Sequence, residues 1–277
     1  MRQGTITLLA LALAGCATSG HYDRFAGYVD ANGVHTYYER CGRGRPLVLV
    51  HGAAMGAEGW RSQTSALKSH FTVYVPERRG VRRSADVVGE WSYAFAMAAD
   101  TAAFMDAIKI NDAVVVGLGD GGIIALLLAY SRPELVSRLV VSGANNNPGG
   151  LAAIEDKLER MTPEEFLAEV PAQDVPWLEM HRRVSPDHGQ QILGAFAEVK
   201  RLRLNCEIAP SQLARISAPT LIMVGDDDMI PVSHAVETWA SIPDAKLCVV
   251  PDAGHFWLQE KPELANQIIL DFLLSSE

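Results

Sequence analysis

Four loops of this chain hold the residues that could carry acid–base or acyl chemistry, and each follows a short apolar run. Residues 46–50 lead into His51-Gly52-Ala53-Ala54, and residues 113–116 into Gly117-Leu118-Gly119-Asp120-Gly121-Gly122. Residues 220–224 lead into Gly225-Asp226-Asp227-Asp228, and residues 247–250 into Pro251-Asp252-Ala253-Gly254-His255. An imidazole takes a proton from an attacking group and returns it to the leaving group. A carboxylate behind it holds the ring and stabilises its charged form. Backbone amides stabilise a tetrahedral oxyanion without help from their own side chains. His21, His35, His70, His181, His188 and His234 have no comparable setting.

The elements that must position these loops are legible as an alternation. Gly27-Tyr28-Val29 and Val34-His35-Thr36-Tyr37-Tyr38 flank Asn32-Gly33, a strong hairpin signal. Continuous apolar runs at 46–50, 71–75, 113–116, 139–141, 220–224 and 247–250 read as buried parallel strands. Helical patterns at 60–70, 93–108, 122–131, 232–241 and 262–274 fall between most of them, which predicts a mainly parallel sheet covered on both faces. From about 148 to 210 the strand pattern stops, and helix-like segments take its place at 151–161, 163–169 and 190–204.

A length of 277 residues suits one large α/β domain with an insertion. The 48% hydrophobic and 21% charged content excludes a disordered chain. A net charge of -9 without a basic, aromatic-studded patch argues against nucleic acid as a partner. Arg78, Arg79, Arg82 and Arg83 read as a solvated basic loop. No C-x-x-C or H-E-x-x-H spacing points to a metal, and no cofactor is expected.

The amino terminus is set apart. Arg2 precedes an apolar run at 6–14, which is too short to span a bilayer and reads as a secretory signal. Leu13-Ala14-Gly15-Cys16 resembles the lipobox of bacterial lipoproteins. That resemblance implies a signal peptide over 1–15, lipidation of Cys16 and a tether over 16–24. It also implies attachment at the periplasmic face of the outer membrane by several acyl chains. Cys41, Cys206 and Cys248 remain, an odd number that makes no complete disulfide framework. Cys248 reads as a small core residue, and a Cys41–Cys206 bond stays open without support from the spacing.

The four loops, in this order and each at a strand's carboxyl end, resemble the motifs of the esterase- and lipase-like α/β-hydrolase superfamily. Glu77-Arg78-Arg79-Gly80-Val81-Arg82-Arg83-Ser84 is similar to that family's D-x-R-G-x-G-x-S loop, with glycine replaced. The resemblance covers nearly all of residues 25–277. It implies an α/β-hydrolase fold with an eight-stranded sheet, a core at 25–147 and 211–277, and a helical cap at 148–210. The family pattern G-D-x-D assigns the acid to Asp228, with Asp226 and Asp227 left to loop capping, and it assigns the catalytic base to His255. It implies an oxyanion hole from the amides of Ala53 and Asp120, with His51 structural in that loop. Trp177, Met180, Phe196 and Leu202 of the cap either line a pocket or pack the cap on the core, the second being preferred residue by residue.

The nucleophile position departs from the family. The elbow pattern is G-x-S-x-G, and here glycine stands where serine belongs. In one register Gly119 is the apex and Asp120 follows it, as in relatives with G-x-S-D-G-G. In the other Asp120 is the apex and an ester-forming carboxylate, as in dehalogenase-like and epoxide-hydrolase-like relatives. The second register puts Leu118 where a small residue is needed, so the first is favoured. Three outcomes stay open: with Gly119 at the apex, a ligand-binding protein without hydrolysis or a hydrolase using a water activated by His255 and Asp228; in the other register, the Asp120 nucleophile.

Overall fold

In each apolar strand successive side chains alternate between two buried faces, so both faces of the sheet must be covered. A computed structural model describes residues 24–53, 55–84, 93–151 and 206–275, together with 160, 162, 165, 179 and 182–185. Among them the strands are β1 (Phe25–Ala31), β2 (Val34–Gly42), β3 (Arg45–Val50), β4 (Phe71–Pro76), β5 (Ala113–Leu118), β6 (Val136–Ser142), β7 (Thr220–Gly225) and β8 (Ala245–Val250). They form one eight-stranded sheet in the order β1-β2-β4-β3-β5-β6-β7-β8. The β1–β2 hairpin and the β2–β4 pair are antiparallel, and every pair from β4 through β8 is parallel. The α/β-hydrolase fold expected from the sequence is the fold observed.

The described α-helices are α1 (Arg61–Leu67), α2 (Tyr93–Ala107), α3 (Asp120–Ser131), α4 (Pro210–Leu213), α5 (Val232–Ser241), α6 (Trp257–Glu260) and α7 (Pro262–Leu274). Val48, Val50, Val115 and Val141 pack under α2 and α3, while Leu47, Leu49, Val114 and Val116 pack with Ala265 and Ile269 of α7. Helix α3 is apolar on all sides, and ten of its twelve residues are buried, as a helix covered by other elements requires. It starts at Asp120, two residues before the expected position, because Gly119 caps it. Cys206 belongs to the first of these clusters and Cys41 to the second, on opposite faces of the sheet. Both thiols are free, which closes the disulfide left open by the sequence.

The chain reverses direction across the sheet between β3 and β5: β4 lies on one side of β3, and β5 with all later strands lies on the other. Open α/β sheets bind ligands outside the carboxyl ends of strands at such a point. The His51 loop after β3 and the glycine turn after β5 are therefore neighbours by topology. Most of the residues expected to form the cap, Trp177, Met180, Phe196 and Leu202 among them, lie outside the described residues, as does Cys16.

One buried histidine ties the loop after β6 to α5. The Asn146 N–H donates to His234 Nε2 at 3.1 Å, and Thr238 Oγ1 donates to Asn146 Oδ1 at 3.3 Å. Burial depresses the His234 pKa, so the folded chain holds the ring neutral where the unfolded chain would protonate it. This stabilisation is complete above the unfolded value of about 6.5 and is lost as pH falls through the lower folded value. Thermal melts from pH 8 to pH 5 should show wild type losing stability below about pH 6.5. His234→Gln, whose amide oxygen can accept the same hydrogen bond, should lose less. Identical acid slopes in the two proteins would refute the assignment.

Candidate active site

The turn after β5 is built around one strained position. Gly119 has φ 55° and ψ -121°, a conformation that side chains with a Cβ rarely adopt. Its N–H donates to the carbonyl of Ser142 at the end of β6 (2.9 Å), and its own carbonyl accepts from Gly122 (2.8 Å) and Ile123 (3.2 Å). A Cβ built on Gly119 would lie 3.1 Å from His255 Nε2 and 4.0 Å from the Gly52 Cα. A side chain at this position would thus point at the imidazole, between the elbow and the His51 loop. Gly121, the second residue of α3, lets that helix sit directly on the end of β3: a Cβ there would stand 2.0 Å from the Val50 carbonyl oxygen.

Asp228 and His255 come from the loops after β7 and β8 and meet over the elbow. His255 Nδ1 lies 2.8 Å from Asp228 Oδ1, and the same oxygen accepts the Ile230 N–H at 3.0 Å. Both side chains are buried. A carboxylate at Nδ1 selects the tautomer with its proton there, which leaves Nε2 as an acceptor facing Gly119. Asp226 instead ties the loops together by accepting the Ala253 N–H at 3.1 Å, as expected for loop capping.

Ala53 lies in the turn after β3, and Asp120 is the first residue of α3. The His51 ring joins the turn after β3 to the loop after β4. Its Nε2 accepts the Arg78 N–H at 3.0 Å, so its Nδ1 carries the proton and donates to the Gly52 carbonyl at 2.8 Å. The Asp120 carboxylate is buried and lies 3.9 Å from the Arg78 guanidinium.

The basic run at 78–83 is not the solvated loop expected from composition. Arg78, Arg79 and Arg82 are buried, and carboxylates distant in sequence meet them. Arg79 pairs with Asp100 of α2 and Arg82 with Glu58. Arg83 pairs with Glu58 and Glu77, with its guanidinium 3.9 Å from the Tyr37 ring centre. Arg82 holds φ 53° where the family loop has glycine. A local reading failed because the neutralising charges come from α2, α3 and the turn before α1.

Cys206 lies near Asp120 but supplies no substitute nucleophile. Burial, and then the Asp120 charge, push its thiol up to about 12, so it remains protonated at neutral pH. Among the described residues no group of histidine, cysteine and carboxylate side chains could hold a metal ion.

A family model described as alpha/beta hydrolase family matches residues 47–267. The RutD protein of Azorhizobium caulinodans is 30% identical over 258 residues, which span 88% of this chain and 97% of RutD. The 2-hydroxy-6-oxo-6-phenylhexa-2,4-dienoate hydrolase of Burkholderia cepacia is 27% identical over 262 residues, spanning 84% and 88% of the two chains. The enol-lactonase from Burkholderia xenovorans LB400 matches in structure with a TM-score of 0.75 at 21% identity, over 90% of this chain and 100% of that one. At that identity the match speaks to the fold.

Proposed function

The chain belongs to the alpha/beta hydrolase family, and on that premise we propose that it receives a small carbonyl compound at an esterase-like site whose nucleophile position is Gly119. Hydrogen cannot attack a carbonyl, so the acyl-enzyme route through a side chain is closed at this position. Hydrolysis then rests on a water activated by His255 and Asp228, with the Ala53 and Asp120 amides receiving the oxyanion. Its rate falls several orders of magnitude below that of a serine-bearing site. The observation that supports this reading most is the 3.1 Å from a Cβ on Gly119 to His255 Nε2. The Burkholderia cepacia relative's 6-oxo substrate favours a carbonyl-bearing ligand.

Two observations favour Gly119 over Asp120 as the apex. The strained backbone belongs to Gly119, while Asp120 is already helical. The Asp120 carboxylate also faces Arg78, a partner that would stabilise it as a bystander charge. The test uses p-nitrophenyl acetate with wild type and His255→Ala. Slow turnover in wild type that disappears in His255→Ala is the expected result. Equal rates would remove the dyad's role and leave a binding protein.

The same proposal covers location. A chain processed and acylated at Cys16 would sit on a membrane surface, consistent with Leu13-Ala14-Gly15-Cys16. Mass spectrometry of membrane-extracted protein should find an amino terminus at Cys16 with a diacylglyceryl mass. An intact residue 1 on the mature protein would refute it.

A further inference from the structure

We propose that Arg78 is a positioning residue that sets both oxyanion-hole amides at once; this rests on the site reading given above. The Gly52 carbonyl and the Ala53 N–H belong to one planar trans peptide and point in opposite directions. Whatever fixes the carbonyl therefore fixes the N–H. Two side chains hold that carbonyl, Arg78 Nη2 at 3.0 Å and His51 Nδ1 at 2.8 Å, and the Met55 N–H adds a longer third donor at 3.4 Å. The two short side-chain bonds take up its two lone pairs, so the peptide has no free acceptor direction to turn towards.

Arg78 is itself held. Its backbone N–H donates to His51 Nε2 at 3.0 Å, and Nη1 reaches Met97 Sδ at 3.2 Å. Nη2 also lies 3.9 Å from Asp120 Oδ2, on the residue whose N–H is the second donor of the hole. Both side chains are buried, where a charge interacts more strongly than in solvent. An unneutralised carboxylate on Asp120 would repel a developing oxyanion beside its own amide. The Arg78 cation offsets that charge while its other contact orients the Ala53 amide. One guanidinium thus orients one donor and neutralises the side chain of the other.

The test has two arms. In the Gly119→Ser background, adding Arg78→Met should lower kcat for p-nitrophenyl acetate at least tenfold with KM within about twofold, because a donor used only in the transition state affects kcat. Arg78→Lys, which keeps the charge and one donor, should recover part of the loss. In the Gly119 protein, nitrogen-15 relaxation dispersion on Arg78→Met should show new exchange broadening at Ala53 and Asp120, with Val114–Val116 unchanged. Broadening with no esterase activity in Gly119→Ser would defeat the site reading and leave the positioning role standing. Wild-type relaxation at both amides would overturn the proposal, as would a fall confined to KM.

Discussion

Gly119→Ser is expected to raise kcat/KM for p-nitrophenyl acetate by about 10²–10³, scaled down from the much larger loss when a serine enzyme loses its nucleophile. The groups a serine would need are placed to serve it. His255 Nε2 faces position 119, Asp228 holds the far side of the ring at 2.8 Å, and the Gly52 Cα of the His51 loop lies 4.0 Å from the new Cβ. The gain stops short of full recovery for a geometric reason. The new Cβ would approach Nε2 to 3.1 Å, tighter than most real contacts, so the ring must yield by a few tenths of an ångström. A stability loss should accompany the gain. A non-glycine residue held at φ 55° is strained by about 1–3 kcal/mol, which lowers the melting temperature by several degrees. Adding Asp228→Asn should remove most of the gain, since an amide in place of the carboxylate permits the wrong tautomer. A Gly119→Ser protein that folds, melts lower and hydrolyses no faster would mean that the amides or the ligand pocket no longer suit an ester.

Gly121→Ala should have a large effect on folding. Its Cβ would sit 2.0 Å from the Val50 carbonyl oxygen, 2.6 Å from the Val50 carbonyl carbon and 2.7 Å from the His51 oxygen. All three are backbone atoms in or next to the central strand β3, so no side chain can rotate away. Relief requires α3 to move off the strand, which also separates the elbow from the His51 loop. Overpacking of this kind destabilises by about 3–5 kcal/mol, or a melting temperature lower by 10 °C or more. Circular dichroism melts check it, with Gly149→Ala as the control. Gly149 is exposed, and a Cβ there would meet only the flexible Asn147 side chain, at 2.9 Å. A Gly121→Ala variant as stable as this control would show that the helix does not rest on the strand.

The apolar runs located the strands because buried parallel strands need side chains acceptable on both faces, and their periodicity is confined to short segments. Val232–Ser241 and Pro262–Leu274 were legible to the residue, since Pro231 precedes the one and Pro262 opens the other. The Asp228–His255 pairing was legible only through motif order, because the two are 27 residues apart and nothing local brings them together. The arginine run was misread for the complementary reason. Glu58, Asp100 and Asp120 approach it only once the turn before α1, α2 and α3 have packed, and composition records charge without its neighbours. Arg78 and His51 escaped notice as a pair because their common target is a backbone carbonyl, which no residue type announces.

The central claim is that Gly119 is the empty apex of a site whose base, acid and amides still converge on it. Fluorophosphonate labelling followed by intact-protein and peptide mass spectrometry tests this most directly, since the reagent reacts with a nucleophile activated within such a site. Wild type should remain unmodified, Gly119→Ser should gain one adduct located at position 119, and the added His255→Ala should abolish the labelling. An adduct on wild-type Asp120 would contradict the account, as would a folded Gly119→Ser protein that takes up no label.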